Sequence, residues 1–294
     1  MARVLTGVGE VADEYDSLLL DQFGVLHDGR KAYEPAVEAV RRLAADGKTL
    51  VVLSNSGRRA AETLAKLKPL GFDPAWFAGS VTSGETTHQA LTLRTDPTFA
   101  QLGKRCLHLT WGERGAINVD SLGLEHVTDP AEADFVLAHG MEVLSRGSAH
   151  PALPVSLQDI QSLLRVAARR RLPLVIANPD IVTVDTTKLV PMPGQCGVWY
   201  TEYGGPPAIL MGKPAPVIYE AAKRLCHGRV LAVGDSLAHD IAGASGAGVD
   251  SLFVANGIHA QDLGDGPLSA AGVAKLAAGH GCAAPTYAVQ AFRW

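Results

Sequence analysis

Cysteine is scarce: the 294 residues hold four, Cys106, Cys196, Cys226 and Cys282, widely spaced and without a CxxC pair. That is too few for a disulfide-stapled scaffold and the wrong spacing for a zinc knuckle. Long apolar runs are missing too. Stretches such as residues 18–20 and 50–53 are strand-sized, far short of the roughly eighteen residues a membrane helix needs, so no membrane segment is expected. The first ten residues show no h-region and no cleavage site, which argues against an export signal. Charge of one sign is not in excess: 26 basic and 30 acidic residues leave a net charge of −4, with no overall basic footprint for nucleic acid or an anionic membrane. Solenoid-period repeats and low-complexity tracts are absent as well. These absences leave a cytoplasmic globular protein with reduced thiols as the expectation. With 47% hydrophobic and 19% charged residues the chain can bury a full core. Its length is about twice the common domain size, which suggests two domains or one large one.

The strongest positive pattern is an alternation of short apolar runs with amphipathic stretches. Residues 17–20, 50–53, 208–211, 230–233 and 251–254 are strand-length and bounded by Gly, Asp, Asn or Lys. Strands that are apolar throughout belong to a parallel sheet covered on both faces. Helices are expected between them at 34–45, 58–67, 84–93, 215–225 and 240–247. That grammar predicts a doubly wound α/β fold. Strands at 106–110, 135–137 and 174–177 and a helix over 157–171 repeat it in the middle of the chain. A second α/β unit inserted in the first would explain this, with boundaries near residues 102–104 and at Gly-Gly-Pro-Pro, residues 204–207.

Four segments carry polar residues at strand ends, where ligands of open parallel sheets bind. The first is Leu20-Asp21-Gln22-Phe23-Gly24, a carboxylate directly after an apolar strand. The second is Leu53-Ser54-Asn55-Ser56-Gly57 before a helix, either an anion pocket of hydroxyl, amide and backbone N–H groups or an ordinary N-cap. The third, Gly212-Lys213-Pro214, constrains a lysine that can aim its ammonium at a phosphate or lie on the surface. The fourth is Gly234-Asp235-Ser236-Leu237-Ala238-His239-Asp240, two carboxylates bracketing a turn, a pattern that suits a hard, oxygen-liganded cation.

Taken singly these segments are weak signals, but their order and spacing closely resemble the haloacid dehalogenase superfamily. The insert position, Ser54-Asn55-Ser56, Asn178-Pro179-Asp180 and Gly212-Lys213-Pro214 point to its class IIA branch. That branch includes 4-nitrophenyl phosphatases, pyridoxal phosphate phosphatases and nucleotide phosphatases. The resemblance implies a Rossmann-like core, residues 1–102 with 205–294, and an α/β cap over 103–204. It also implies an Mg²⁺-dependent phosphatase of a small phosphorylated molecule. In that mechanism Asp21 is the nucleophile and forms an aspartyl-phosphate. Ser54 and Asn55 hold phosphoryl oxygens, and Lys213 neutralises charge. Asp21, the backbone carbonyl of Phe23 and Asp235 ligate Mg²⁺, with Asp240 as a further ligand or an anchor for Lys213.

One position departs from the family. Its phosphatases usually carry an acid–base Asp two residues after the nucleophile, where this chain has Phe23. Loss of such a group typically costs about 10²–10⁴ in rate. His27, Asp28 or His239 could replace it, or the substrate could have a leaving group that needs no acid. The chain could instead be a catalytically impaired binder of a phosphorylated ligand. A metal-free haloacid dehalogenase is a further alternative, because those enzymes often have an aromatic there; the two carboxylates after Gly234 and the large insert argue against it. In the cap, Asn178, Asp180 and the loop Pro193-Gly194-Gln195-Cys196-Gly197 are the candidates to face substrate, with Cys196 the thiol nearest the site. Class IIA caps often dimerise, so Trp199 and Tyr200 are candidates for a homodimer interface. The remaining histidines show no metal-ligand spacing, and structural roles are expected for them.

Overall fold

The computed structural model describes residues 2–112, 117–185, 188–264 and 266–294. The chain divides into two compact units. Met1–Ser54, Arg59–Val81 and Lys213–Trp294 form unit 1; Asn55–Arg58 and Thr82–Gly212 form unit 2. In chain order the strands are β1 (Arg3–Leu5), β2 (Ser17–Leu20), β3 (Thr49–Ser54) and β4 (Gly79–Thr82), then β5 (Arg105–Thr110), β6 (Glu125–His126), β7 (Phe135–Ala138), β8 (Val143–Leu144) and β9 (Leu153–Pro154). They continue with β10 (Leu174–Ile176), β11 (Val182–Asp185), β12 (Lys188–Pro191) and β13 (Ile209–Leu210), and the chain returns to unit 1 for β14 (Val230–Gly234), β15 (Asp250–Val254) and β16 (Tyr287–Val289).

The sheet of unit 1 runs β1-β16-β15-β14-β2-β3-β4, with parallel ladders from β1 through β3. Its strands read as continuous apolar runs because both faces are covered. Leu18, Leu20, Leu50, Val52 and Val233 point to one face, with Ala36, Ala39, Val40 and Leu43 of helix α1 (Glu34–Ala45). Leu19, Val51, Leu53 and Ala232 point to the other. There they meet Ile218, Tyr219 and Ala222 of α7 (Pro216–Lys223) and Ala244 of α8 (Ala242–Gly246). α9 (Ala270–Gly279), which the sequence pattern does not single out, extends this layer through Val273 and Ala277. Each fully buried Leu or Val in these layers contributes roughly 1.5–3 kcal/mol.

Unit 2 has a mixed sheet, β13-β10-β7-β5-β8-β9, with β6 beside β5, and a separate β11–β12 hairpin. One face packs on α5 (Leu157–Arg169) and α6 (Gly194–Glu202) through Leu109, Val136, Ile176, Leu164, Cys196 and Tyr200. α5 opens with a capping box between Ser156 and Asp159.

Several sequence expectations change here. The strand expected at 208–211 is β13, and it joins the sheet of unit 2, parallel to β10, rather than the core sheet. The expected boundary at 102/103 also differs, because α3 (Ser83–Leu93) and α4 (Pro97–Ala100) group with unit 2. The local reason is hydrogen bonding: Thr86 Oγ1 donates to the Met211 carbonyl (2.6 Å), and the Gly84 N–H donates to the Ser56 carbonyl (3.0 Å). Because residues 55–58 are drawn into this network, α2 (Ala60–Leu67) begins at Ala60 rather than 58. The stretch expected as a loop at 193–197 is the first turn of α6, and Cys196 is fully buried in the core of unit 2. Burial pushes its thiol up to about 12, so it is inert at neutral pH.

Alternation along β5 points His108 away from the helices, into a buried row with His139, and its Nε2 lies 3.0 Å from His139 Nδ1. The His126 ring stands 6.0 Å from that of His108. Burial pushes His139 down to about 3 and His108 well below the ordinary value, so both rings are neutral at pH 7. A histidine with a depressed folded pKa binds fewer protons folded than unfolded. Its contribution is therefore complete above about pH 6.5 and is lost as pH falls toward 3, by up to about 1.4 kcal/mol per pH unit. Urea unfolding at pH 7.5 and 5.5 should show a drop that is smaller in His139→Gln; equal drops would refute the assignment.

Candidate active site

Asp21 is the first residue beyond β2, and its N–H donates to the Val233 carbonyl (3.0 Å). β2 lies between β3 and β14, with Leu20 opposite both Val52 and Val233. Asp21, Ser54 and Asp235 therefore leave three adjacent strands at their carboxyl ends, with neighbouring strands about 4.8 Å apart. Lys213 enters from the return of the chain into unit 1 and is 2% exposed. Its Nζ lies 2.7 Å from Asp21 Oδ1 and 2.7 Å from Asp240 Oδ1. The other oxygen of Asp240 accepts the Ser236 N–H (3.0 Å).

The turn that delivers Asp240 was expected as an ordinary helix over 240–247. It is a π-helical turn, Leu237–Ile241, running into α8. Asp240 and Ile241 both donate their N–H groups to the Ser236 carbonyl (2.9 and 3.1 Å). The Tyr219 hydroxyl donates to the Asp240 carbonyl (3.0 Å), and Gly243 makes room for that ring: a Cβ there would sit 2.4 Å from Tyr219 Cε2. π turns of this kind are frequently found at functional sites.

Asp235 is cradled by backbone. Its Oδ2 accepts the Ile258 N–H (2.8 Å), and it lies between two glycines. A Cβ on Gly24 would sit 1.9 Å from this oxygen, and one on Gly257 2.0 Å from it. Gly24 also has φ +74°, a conformation that favours glycine. Carboxylate oxygens of Asp21, Asp235 and Asp240 lie within 4.8 Å of one another.

Two of the three carboxylates, Asp21 and Asp240, pair with the Lys213 ammonium. Burial, with the charge of Asp240 added, raises the Asp21 carboxyl to about 7 against the lowering pull of Lys213. Burial and the charges of Asp21 and Asp240 push Asp235 well above the usual range. Burial alone would lower Lys213, but Asp21 and Asp240 outweigh it and hold the ammonium charged. Hard oxygen donors with surplus negative charge in a sheltered cradle are what a divalent cation such as Mg²⁺ requires.

Phe23 is 58% exposed; its ring stands edge-on to His27 (4.7 Å between centroids) and over Gly29, where a Cβ would be 2.8 Å from Cε1. His27 is buried, its Nδ1 accepts the Gly29 N–H (3.0 Å), and burial lowers its pKa. Asp28 accepts the N–H groups of Lys31 (2.7 Å) and Arg30 (2.8 Å), which hold it ionised, the wrong form for a general acid. His239 is half-buried on the π turn, its N–H on Ser236 Oγ. In unit 2, Asn55 Nδ2 donates to Asp180 Oδ1 (2.9 Å), and Asn178 Oδ1 accepts the Asp180 N–H (3.0 Å). Gln195 is half-buried on α6. Sequence reasoning missed Tyr219, Gly257 and Ile258. The only local signal for the last two was a glycine just past a strand.

The cradle yields a direct test. Gly257→Ala should abolish divalent-cation binding measured by calorimetry while Gly246→Ala, which meets open space, leaves it intact. Unchanged binding in Gly257→Ala would remove Asp235 from the cation site.

Residues 18–125 match the haloacid dehalogenase-like hydrolase family, and residues 210–276 match the HAD-hydrolase-like family. A D-glycerol 3-phosphate phosphatase of Mycobacterium tuberculosis is 29% identical over 85% of this chain, which spans 65% of that protein's length. A haloacid dehalogenase-like hydrolase from Brucella suis superposes with TM-score 0.75 at 27% identity, covering 98% of this chain and 99% of that one. A glycerol phosphate phosphatase from M. tuberculosis, solved with magnesium, gives TM-score 0.61 at 27% identity over 87% of this chain and 74% of that one. With strand-end carboxylates, buried lysine and fold all in agreement, the chain belongs to the haloacid dehalogenase-like hydrolases.

Proposed function

We propose that this hydrolase is an Mg²⁺-dependent phosphatase of a small phosphorylated molecule that works through Asp21. The observation that carries the reading is the buried Lys213 ammonium fixed at 2.7 Å from both Asp21 and Asp240, beside the cradled Asp235. Oxygens of Asp21 and Asp235 and the carbonyl of Phe23 would hold the cation, and Asp240 anchors Lys213. When bound, Mg²⁺ offsets the repulsion between a carboxylate and an anionic phosphate.

Asp21 attacks phosphorus; the new O–P bond forms as the bond to the leaving oxygen breaks, and the leaving group takes the electron pair. Lys213 keeps the attacking carboxylate oriented and offsets the charge gathering at the phosphoryl oxygens. Ser54, at the end of the neighbouring strand, is placed to hold one of them. The Asn55 amide next to it donates from Nδ2 to Asp180 Oδ1. Water then attacks phosphorus and breaks the bond to Asp21, releasing inorganic phosphate and restoring the carboxylate.

Proton delivery to the leaving group is where this chain differs. Phe23 has no proton to give, His27 accepts with Nδ1 from its own turn, and Asp28 is held ionised. The best substrates are therefore those whose leaving group departs as a stable anion, aryl or acyl phosphates ahead of alkyl phosphates. Phe23 also supports a second reading, a phospho-ligand binder without turnover.

Phosphate release from acetyl, 4-nitrophenyl, sugar, nucleotide and pyridoxal phosphates, with Mg²⁺ or EDTA, separates the two. Metal-dependent turnover that vanishes in Asp21→Asn supports the phosphatase; binding without release supports the second reading. Across aryl phosphates, kcat/KM should fall steeply as leaving-group pKa rises. Phe23→Asp should raise the rate on alkyl phosphates by about 10²–10⁴. A flat dependence in the unmodified protein would show that a proton donor is present after all.

A further inference from the structure

Residues 256–262, between β15 and α9, touch both backbone segments that position the acidic residues of unit 1. On one side Gly257 and Ile258 cradle Asp235. The next residue, His259, is 7% exposed and reaches the other side, where its Nε2 accepts the Leu237 N–H (3.4 Å). Leu237 opens the π turn that carries Asp240. His259 Nδ1 lies 2.8 Å from Asp262 Oδ2. Because Leu237 is the donor at Nε2, the ring hydrogen sits on Nδ1 and goes to Asp262. Phe253 and His280 enclose the ring, at 6.1 and 4.6 Å between centroids.

Donor atoms of His259, Asp262 and His280 also lie within 4.8 Å of one another, a spacing that would suit a second cation. The tautomer argues against that use. A neutral imidazole that binds metal through Nδ1 carries its hydrogen on Nε2, where it would face the Leu237 N–H donor to donor. The same geometry is well suited to a different task.

We infer that His259, with its tautomer set by Asp262, is a positioning residue for the cation site. It ties the Ile258 N–H that holds Asp235 to the turn that holds Asp240, and so fixes the separation of the two carboxylates. This rests on the reading of Asp235 as a cation ligand. Partners one step removed from a metal typically change its affinity by about 10–100-fold.

The test is calorimetric titration of Mg²⁺ into the EDTA-treated, dialysed protein without substrate, together with thermal unfolding. His259→Ala should weaken Mg²⁺ binding about 10–100-fold. His259→Gln, whose side-chain carbonyl can accept the Leu237 N–H, should recover most of that loss. Asp262→Ala, which keeps the ring but releases its tautomer, should lose affinity in the same direction, and it carries the test if His259→Ala does not fold. Wild-type affinity in His259→Ala or in Asp262→Ala would overturn the inference, as would equal losses in the Ala and Gln variants. If the unmodified protein binds no Mg²⁺, the reading of Asp235 as a ligand fails instead.

Discussion

The position of Lys213 between Asp21 and Asp240 is the constraint on which the rest of the site depends. An ammonium this deeply buried is tolerable only when paired, because removing a partner leaves an uncompensated charge at a cost of about 3–5 kcal/mol. Both partners lie at 2.7 Å, and each is delivered by a different device. Asp21 stands where it does because β2 is a central strand of a parallel sheet. Asp240 stands where it does because a π turn, capped by Ser236 and supported by the Tyr219 hydroxyl, replaces an ordinary helical start. Gly243 is small because Tyr219 must lie against it.

Pairing does not neutralise the cluster. Asp235 is a third carboxylate with a backbone N–H as its partner, so the pocket carries surplus negative charge that raises both Asp235 and Asp21. A cation would remove that penalty, so in the proposed reading its binding and the ionisation of Asp21 are one electrostatic problem. The glycines at 24 and 257 leave room for the Asp235 carboxylate and fix where it points.

Phe23 follows Asp21 by two residues, at the mouth of the site. Its ring is exposed but pinned between His27 and Gly29, and the turn around it spends its polar groups on itself. In the proposed reading Asp21 and Lys213 are placed to form a bond to phosphorus, while the Phe23 ring has no proton to offer a leaving group.

Much of this was legible in the sequence. Continuous apolar runs ending in Asp21, Ser54 and Asp235 gave the parallel sheet and its carboxyl-end cluster, because strand period and two-sided burial are local properties of the chain. The resemblance put Lys213 near Asp21 but left Asp240 open as a cation ligand or an anchor for Lys213; the 2.7 Å pairs with both belong to the tertiary structure. What the sequence misplaced depends on partners far along the chain. The strand before Gly212 is short and half-buried, and which sheet it joins is decided by pairing with β10. Residues 193–197 look like a Gly-rich loop but become a helix because Cys196 and Tyr200 are buried against a sheet formed elsewhere. His259, Tyr219 and Gly257 carry no motif at all. Their roles arise from hydrogen bonds and close approaches between segments that composition and spacing do not relate, and the tertiary structure alone brings those segments together.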